Sequence, residues 1–428
     1  MELGTFTLTP WQEAGVIHLE ELKHAVLSFR PGKGKTFPAI YAAKEQCGDT
    51  KECLVISQKR IIEKMWKEDI VPLGILPKRT TFINTELMNV NDGVFKELLK
   101  KKWECIIVDE CHLLKNPTSV QSRRVHKLCK DVPMVIGLSG TPRCNSDEDL
   151  FGIMRALHIG KWGEINKTSF ERDWGVRVLK QFGGHSFYKF EGIQPELKSI
   201  WDAGIQKYFL MADYEEGEMP PLNIHNDESD GTILPFEKSD IYNKALQGII
   251  HLPESSTTFQ KAVAIQKAQQ AANGFLYLED GSTYKVPNFV NKKLDFIKNL
   301  LEKKKGTPII IGYRFTEDKN QIIQAFPGMV TEDTEAFKTG KKDILLLQCQ
   351  QGIGVNLQRA KAIIYYTMDV SYANYEQMIH RAWRTGQPDP VDIYILTYKG
   401  SVEEKIWKSV KEKKAIGDLL YSIKGELY

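Results

Sequence analysis

The sequence predicts an α/β protein made of two parallel-sheet regions joined by a mostly helical stretch. Three observations carry this expectation. Short apolar runs recur without polar alternation, as expected of strands buried on both faces of a parallel sheet. Most of the runs are followed at once by Gly, Ser, Asp or Thr, and helix-like stretches separate them, the alternation of an α/β chain. The runs also fall into two groups, over residues 24–140 and 308–398, with a long interval of different character between them.

In chain order, the first group is Ala25-Val-Leu, Cys53-Leu-Val-Ile, Cys105-Ile-Ile-Val and Met134-Val-Ile. Phe37–Glu45 and Gln58–Asp69 read as helices between them. The interval opens with Phe170–Phe209, rich in Trp, Phe and Lys. It continues through the acidic Asp213–Glu218 to Pro220-Pro221, and Phe236–Gly274 then reads as helix. After the helix Lys292–Lys304 come Pro308-Ile-Ile-Ile, Ile344-Leu-Leu-Leu, Ala362-Ile-Ile-Tyr-Tyr and Ile393-Tyr-Ile-Leu. The expected division is therefore residues 1–160, a mostly helical insertion and linker over 161–290, and residues 291–428. No internal repeat or low-complexity tract interrupts it, and the two sheet groups remain open to being distant copies of one fold.

Composition narrows the function. With 428 residues, 42% hydrophobic and 26% charged, the chain has an ordinary globular make-up, which excludes a largely disordered chain, a collagen-like fibre and a disulfide scaffold. Lys and Arg number 58 against 55 Asp and Glu, a formal charge of +3. The chain is no polycation, so any nucleic-acid binding must come from a local basic groove. Seven cysteines are scattered without a Cys-x-x-Cys pair, which removes zinc-ribbon and thioredoxin-like chemistry and points to a reducing cytosol. The opening residues lack the basic and apolar regions of a signal peptide. No segment approaches the roughly 20 apolar residues that span a bilayer. A soluble, intracellular protein is expected, with no membrane partner.

Four clusters carry chemistry. Arg30-Pro-Gly-Lys-Gly-Lys-Thr36 follows the first apolar run and precedes a helix. Gly32 and Gly34 let backbone N–H groups curl around phosphate oxygens, with Lys33 between them. Lys35 supplies a point charge and Thr36 a hydroxyl for Mg²⁺, while the helix N-terminus adds its dipole. The same residues could form a Gly-rich turn with adventitious lysines. Ile106-Ile-Val-Asp-Glu-Cys-His112 is a buried run ending in paired carboxylates. Asp109 suits a metal and Glu110 an attacking water, the division of labour that phosphoryl transfer needs. An acidic loop after a strand is common, so the weight lies in its order after the first cluster. His112 could be a surface histidine, but after this pair it reads better as contacting the γ-phosphate sensor or the third cluster, Gly137-Leu-Ser-Gly-Thr-Pro142. There Ser139, Gly140 and Thr141 could couple carboxylates, nucleotide and movement. In Gln377-Met-Ile-His-Arg-Ala-Trp-Arg-Thr-Gly-Gln387, Arg381 and Arg384 are three apart and expected on one helix face. They could act as fingers on transition-state charge or form a solvated basic face.

In this order the clusters resemble the superfamily-two helicase-like ATPases, specifically the Swi/Snf-type branch. Leu8-Thr-Pro-Trp-Gln12 is similar to the branch's Leu-x-Pro-Tyr-Gln opening, whose glutamine reads adenine. Pro31–Thr36, Asp109–His112 and Leu138–Pro142 resemble motifs I, II and III. Ile56–Lys59 and Phe82–Glu86 resemble the DNA-backbone motifs Ia and Ib, and Ile309–Arg314 resembles motif IV. Gln350–Leu357 resembles motif V, although Gln350 and Gln351 replace its usual small pair. Gln377–Gln387 resembles motif VI of this branch more than that of DEAD-box RNA helicases. Weaker likeness persists at Lys267–Gly274 and Asn291–Leu301, the lead-in to a second lobe.

The resemblance implies two RecA-like lobes with ATP and Mg²⁺ in the cleft between them. Gln12, Gly32, Lys33, Gly34, Lys35, Thr36, Asp109 and Glu110 would come from the first lobe. Gly354, Asn356, Gln377, Arg381 and Arg384 would come from the second. Thr36 and Asp109 would meet the metal, and His112, Ser139, Gly140 and Thr141 would couple the parts. Ser57, Lys59, Asn84, Thr85, Tyr313 and Gln348 are the candidate DNA contacts. The implied activity is an ATP-driven motor on double-stranded DNA without sequence preference, in the compact form encoded by bacteria and their phages. A monomer in the cytoplasm of a bacterium or phage-infected host is expected, and a replication or recombination protein stays open as a partner. Three other readings stand beside it: a strand-separating DNA or RNA helicase, a nucleotide-gated DNA clamp acting through a partner nuclease or replication protein, and a P-loop metabolic kinase. The kinase would explain the first cluster alone.

Overall fold

Each apolar run named above becomes a central strand of one of two six-stranded sheets, every neighbouring pair of which is parallel. The structure is a computed structural model that describes residues 1–140, 146–182, 185–215, 217–250, 258–349, 357–384 and 387–412. It divides into two compact units, Met1–Glu215 and Glu216–Tyr428.

In the first unit the strands are β1 (His24–Phe29), β2 (Glu52–Ser57), β3 (Thr80–Asn84), β4 (Trp103–Asp109) and β5 (Met134–Leu138). An antiparallel ribbon, β6 (Gly175–Phe182) and β7 (His185–Ile193), stands outside the sheet, and β8 (Phe209–Ala212) completes it. The spatial order is β8-β1-β5-β4-β2-β3. It places β1, β5 and β4 side by side, so the turns leaving their carboxyl ends converge where open α/β sheets bind ligands. Register fixes the meeting point: Asp109 lies opposite Leu138, and Val26 opposite Gly137.

In the second unit β9 (Leu222–His225), β10 (Ile309–Tyr313), β11 (Val330–Thr331), β12 (Ile344–Gln348), β13 (Ala362–Tyr365) and β14 (Val391–Ile395) are ordered β9-β14-β13-β10-β12-β11. A buried polar cluster ties its helices together. Lys293, fully buried, donates to Glu403 Oε1 at 2.6 Å, to Asn273 Oδ1 at 2.9 Å and to the Tyr366 carbonyl at 2.6 Å. Burial pushes the Glu403 carboxyl up, and the Lys293 charge opposes that rise. Such a pair is costly to break, because the survivor is left as an uncompensated buried charge.

The stretch expected as an insertion, 161–290, contributes to both units. Its helices Pro195–Tyr208, Asp240–Ile250 and Thr258–Ala272 are present, but so are the β6–β7 ribbon and edge strands of both sheets, β8 and β9. Within Phe236–Gly274, expected as helix, the helices are Asp240–Ile250 and Thr258–Ala272, and residues 251–257 between them lie outside the described residues. Lys292–Lys304 is helical over Lys292–Lys303. Gln58–Asp69 is α-helical only over Lys59–Ile61, then π-helical over Ile62–Ile70. Among the described residues no helix is long and apolar enough to cross a membrane.

Candidate active site

The turn after β1 is shaped by two left-handed glycines, Gly32 at φ 89° and Gly34 at φ 71°, a region that side chains adopt only with strain. Gly34 is also crowded: a Cβ there would stand 2.4 Å from Gln12 Nε2. Gln12 owes its position to local sequence. Thr9 is the N-cap residue of the helix Pro10–Leu22, and Gln12 Oε1 accepts from the Thr9 backbone N–H at 3.0 Å, the glutamine half of a capping box. Its Nε2 is thereby turned to the carbonyls of Lys33 and Gly34, at 3.4 Å each. Trp11 braces the same turn, donating Nε1–H to the Lys33 carbonyl at 3.2 Å while Lys33 Nζ sits 4.1 Å over its ring. The Tyr214 hydroxyl donates to the Pro31 carbonyl at 2.7 Å. The helix Thr36–Cys47 then starts with Lys35 as its N-cap and no side chain capping it. Its first N–H groups and positive dipole end suit an anion.

Asp109 closes β4 and is 5% exposed. Its Oδ2 accepts from Trp66 Nε1 at 3.2 Å and from Ser57 Oγ at 3.4 Å, and its Oδ1 from the Glu110 N–H at 3.0 Å. Burial, and after it the charge of Glu110, push the Asp109 carboxyl up to about 6 against the pull of Lys35. Glu110 has left-handed backbone, φ 52° and ψ 47°, a conformation that costs a non-glycine residue about 1–3 kcal/mol and gathers at working sites. Burial alone would raise its carboxyl too. The Lys35 charge and the hydrogen bond to His112 outweigh that and hold it at about 2. His112 Nδ1 lies 3.1 Å from Glu110 Oε2 and 3.2 Å from Ser139 Oγ, so one ring joins the turns after β4 and β5. Gly140 is packed against Pro31 of the first turn, whose Cγ would lie 3.2 Å from a Cβ at that position.

The first unit thus brings Gln12, Gly32, Lys33, Gly34, Lys35, Thr36, Asp109, Glu110, His112, Ser139 and Gly140 to one end of its sheet. Thr141 lies outside the described residues. The donor set fits a hard cation, since Thr36 offers a hydroxyl and Asp109 a buried carboxylate, both oxygen ligands of the kind Mg²⁺ takes.

The expected DNA contacts divide. Ser57 is fully buried and spends its hydroxyl on Asp109, so it supports the carboxylate and presents nothing outward. Tyr313 is also buried, and its hydroxyl donates to Glu332 Oε1 at 3.2 Å. Gln348 pairs with Tyr313 across β10 and β12 and donates to the Arg314 carbonyl at 3.2 Å. Lys59 is exposed, and Asn84 caps the helix Thr85–Val90. Thr85 is buried and meets Lys59 through Glu86: Glu86 Oε2 accepts from the Lys59 N–H at 3.1 Å and from Thr85 Oγ1 at 3.3 Å.

In the second unit Gln377 and Arg381 lie on the helix Tyr372–Ala382, Arg381 at 2% exposure. The helix ends at Ala382, so Arg384 does not share a helical face with Arg381 as the spacing suggested. Instead Arg384 Nε donates back to the His380 carbonyl. Gly386 and Pro388 follow in the sequence, residues that stop a helix. The Arg381 carbonyl accepts from the Leu357 N–H at 3.0 Å, and Gln387 Nε2 donates to the Ala360 carbonyl at 3.1 Å. These bonds tie the cluster to the turn following 350–356. Gly354 and Asn356 lie outside the described residues.

Sequence reasoning passed over Trp66, Trp11 and Tyr214. A tryptophan inside an amphipathic stretch reads as core, and only the structure shows its N–H on Asp109. Trp11 stands inside a recognised block and was available; Tyr214 is remote in sequence and carried no signal.

Residues 76–187 match the SNF2-related domain, and residues 277–386 match the helicase conserved C-terminal domain. The chain is 23% identical to protein p41 of Acyrthosiphon pisum secondary endosymbiont phage 1, over 98% of both chains. It is also 23% identical to the Caenorhabditis elegans homologue of SWI/SNF-related matrix-associated actin-dependent regulator of chromatin subfamily A-like protein 1, over 95% of this chain and 61% of that one. It spans 25% of the CHD3-type chromatin-remodeling factor PICKLE of Arabidopsis thaliana. The solved Sulfolobus solfataricus SWI2/SNF2 ATPase core in complex with dsDNA aligns over 96% of this chain and 92% of that one, at 19% identity and a TM-score of 0.42.

Proposed function

The chain belongs to the Swi/Snf-type branch of the superfamily-two helicase-like ATPases, and from that premise we propose that it is a DNA-dependent ATPase that translocates on double-stranded DNA. The observation that carries the ATPase chemistry is Asp109 and Glu110 at the end of β4, with Lys35 acting on both carboxylates from the start of the neighbouring helix. In this reading the glycine turn and the uncapped helix start hold the triphosphate, and Lys35 neutralises its outer phosphates. Thr36 and Asp109 would hold Mg²⁺, whose chemistry is to neutralise charge on the phosphate oxygens. Glu110, kept ionised by Lys35 and His112, accepts a hydrogen bond from the attacking water and aims it at the γ-phosphorus. His112 carries any shift of Glu110 to Ser139, and so to the turn after β5. Arg381 and Arg384 are assigned to the charge that develops in the transition state.

Support for DNA as the activator comes from the family and from the exposed Lys59 at the turn after β2, a side chain suited to phosphate contacts without base readout. The test is the ATPase rate measured side by side with no nucleic acid, single-stranded DNA, duplex DNA and duplex RNA. Stimulation by duplex DNA, weakening steeply from low to physiological salt as counterion release demands, is the expected result. Stimulation by RNA alone, or a response indifferent to salt, would remove the reading.

A further inference from the structure

The β6–β7 ribbon belongs to neither six-stranded sheet and has no part in the chemistry above. Its root is fixed. Gly175 admits no side chain, since a Cβ would lie 2.6 Å from the Phe190 ring and 2.7 Å from the Glu171 carbonyl oxygen. The Gln194 N–H donates to the Trp174 carbonyl at 2.8 Å, and Phe190 stacks on the buried Phe170 with centroids 5.6 Å apart. Beyond the root, Arg177 pairs with Phe190 and Leu179 with Tyr188, so these side chains share one face. There Leu179 is 50% and Tyr188 60% exposed. The Arg177 guanidinium lies 5.0 Å over the Tyr188 ring.

A two-stranded ribbon is marginally stable in water by itself, and beyond the fixed root Leu179 and Tyr188 stay exposed on strands of 8 and 9 residues, a surface open to an occupant. Charge indicates which. In sequence the ribbon carries Arg177, Lys180 and Lys189 against Glu191 as its one acidic residue, with Arg177 in register on the face of Leu179 and Tyr188, a balance that suits a polyanion. The Arg177–Tyr188 stack then narrows the mode. With one face of the ring already covered by the guanidinium, Tyr188 is poorly placed to intercalate between bases, whereas the stacked arginine keeps its N–H groups free to reach a phosphate edge-on. The major groove of B-DNA admits a two-stranded β-ribbon.

We propose that the β6–β7 ribbon grips duplex DNA along its groove, with Arg177, braced by Tyr188, as a phosphate contact that reads no sequence. This rests on the DNA-motor reading and adds a holding point away from the Lys59 and Asn84 turns. The test compares Arg177→Glu, Tyr188→Ala and a shortened ribbon, in which Asn-Gly replaces Val178–Lys189 and closes the Arg177–Phe190 pair as a tight hairpin. Duplex affinity is read by fluorescence anisotropy over a salt series, beside the DNA-free ATPase rate and the thermal midpoint. Arg177→Glu should weaken duplex binding about tenfold and flatten the log–log salt dependence by about 0.9, the share of the single phosphate that Arg177 neutralises. Tyr188→Ala should weaken it less, and the shortened ribbon at least as much as Arg177→Glu. DNA-free turnover and the thermal midpoint should stay at wild-type values. If the wild type binds duplex DNA and all three variants match it in affinity and slope, the ribbon assignment is wrong and the face is left to a protein. A loss confined to single-stranded DNA would overturn the groove mode. Failure of the wild type to bind or respond to duplex DNA would overturn the motor reading itself, and this inference with it.

Discussion

Lys35 and Glu110 meet in one electrostatic field but should fail differently when removed. Lys35→Ala takes away the cation that draws both the triphosphate and the Glu110 charge, so nucleotide affinity and turnover should fall together. Glu110→Gln keeps the shape and the cation but loses the acceptor that aims water. It should bind nucleotide at wild-type strength while turnover falls by about 10²–10⁴, the range for a positioned acid–base group. A fluorescent ATP analogue separates the two effects, and near-wild-type turnover in Glu110→Gln would show that this carboxylate is not the one. Asp109 adds a pH signature. Its carboxyl, raised to about 6 by burial and by Glu110, keeps its proton to a higher pH in the folded, nucleotide-free protein than in the unfolded chain. Protons therefore compete with the metal below that value. The Mg²⁺ concentration for half-maximal turnover should rise as pH falls through about 6 and be flat above 7; a flat profile down to pH 5 would contradict the assigned environment.

Among the elements, the helix after β2 has the least ordinary form. Nine residues of π-helix, Ile62–Ile70, carry Trp66 to Asp109, and wide i→i+5 turns of this length are rare and gather at functional sites. The same segment begins at Lys59, beside the turn read as a DNA contact. Trp66→Phe keeps the apolar volume and removes only the N–H. A hydrogen bond to a charged group contributes about 1.5–3 kcal/mol of stability, so the thermal midpoint should fall by a few degrees and the Mg²⁺ requirement for turnover should rise; an unchanged Mg²⁺ requirement would reduce Trp66 to packing. The π-helix was invisible in the sequence, because Gln58–Asp69 has an ordinary amphipathic pattern and its distortion serves a contact 43 residues away. Strands show the same division. The central strands were legible because burial on both faces makes them continuous apolar runs, as in Ile309–Tyr313. Within the two six-stranded sheets the strands that escaped, β3, β8, β9 and β11, are the four edges, where one side meets solvent and the run breaks up: Leu222–His225 has no buried residue. Of the candidate site, residue identities were legible through spacing. Direction was not: Ser57 and Tyr313 sit at strand ends as expected, yet both turn inward to carboxylates.

At the scale of the whole molecule the open question is what movement the hydrolysis drives. A motor that tracks one strand within an intact duplex strips off whatever lies in the groove ahead of it without opening base pairs. A strand separator needs an element inserted between the strands. The β6–β7 ribbon lies outside both six-stranded sheets, and its exposed tyrosine, Tyr188, has one ring face under Arg177 rather than both bared for stacking. The expected outcome is therefore ATP-dependent displacement of a triplex-forming third strand and no unwinding of a forked duplex. Arg384→Ala separates motor output from DNA grip. Under the assignment of Arg384 to the γ-phosphate rather than to the DNA backbone, loss of its side chain should leave duplex binding intact. If it serves the transition state, turnover and third-strand displacement should both fall by ~10³ or more, the effect of removing an arginine finger. Efficient fork unwinding without third-strand displacement would instead favour a helicase. Lost DNA binding with turnover preserved in Arg384→Ala would move this arginine from the phosphate to the DNA.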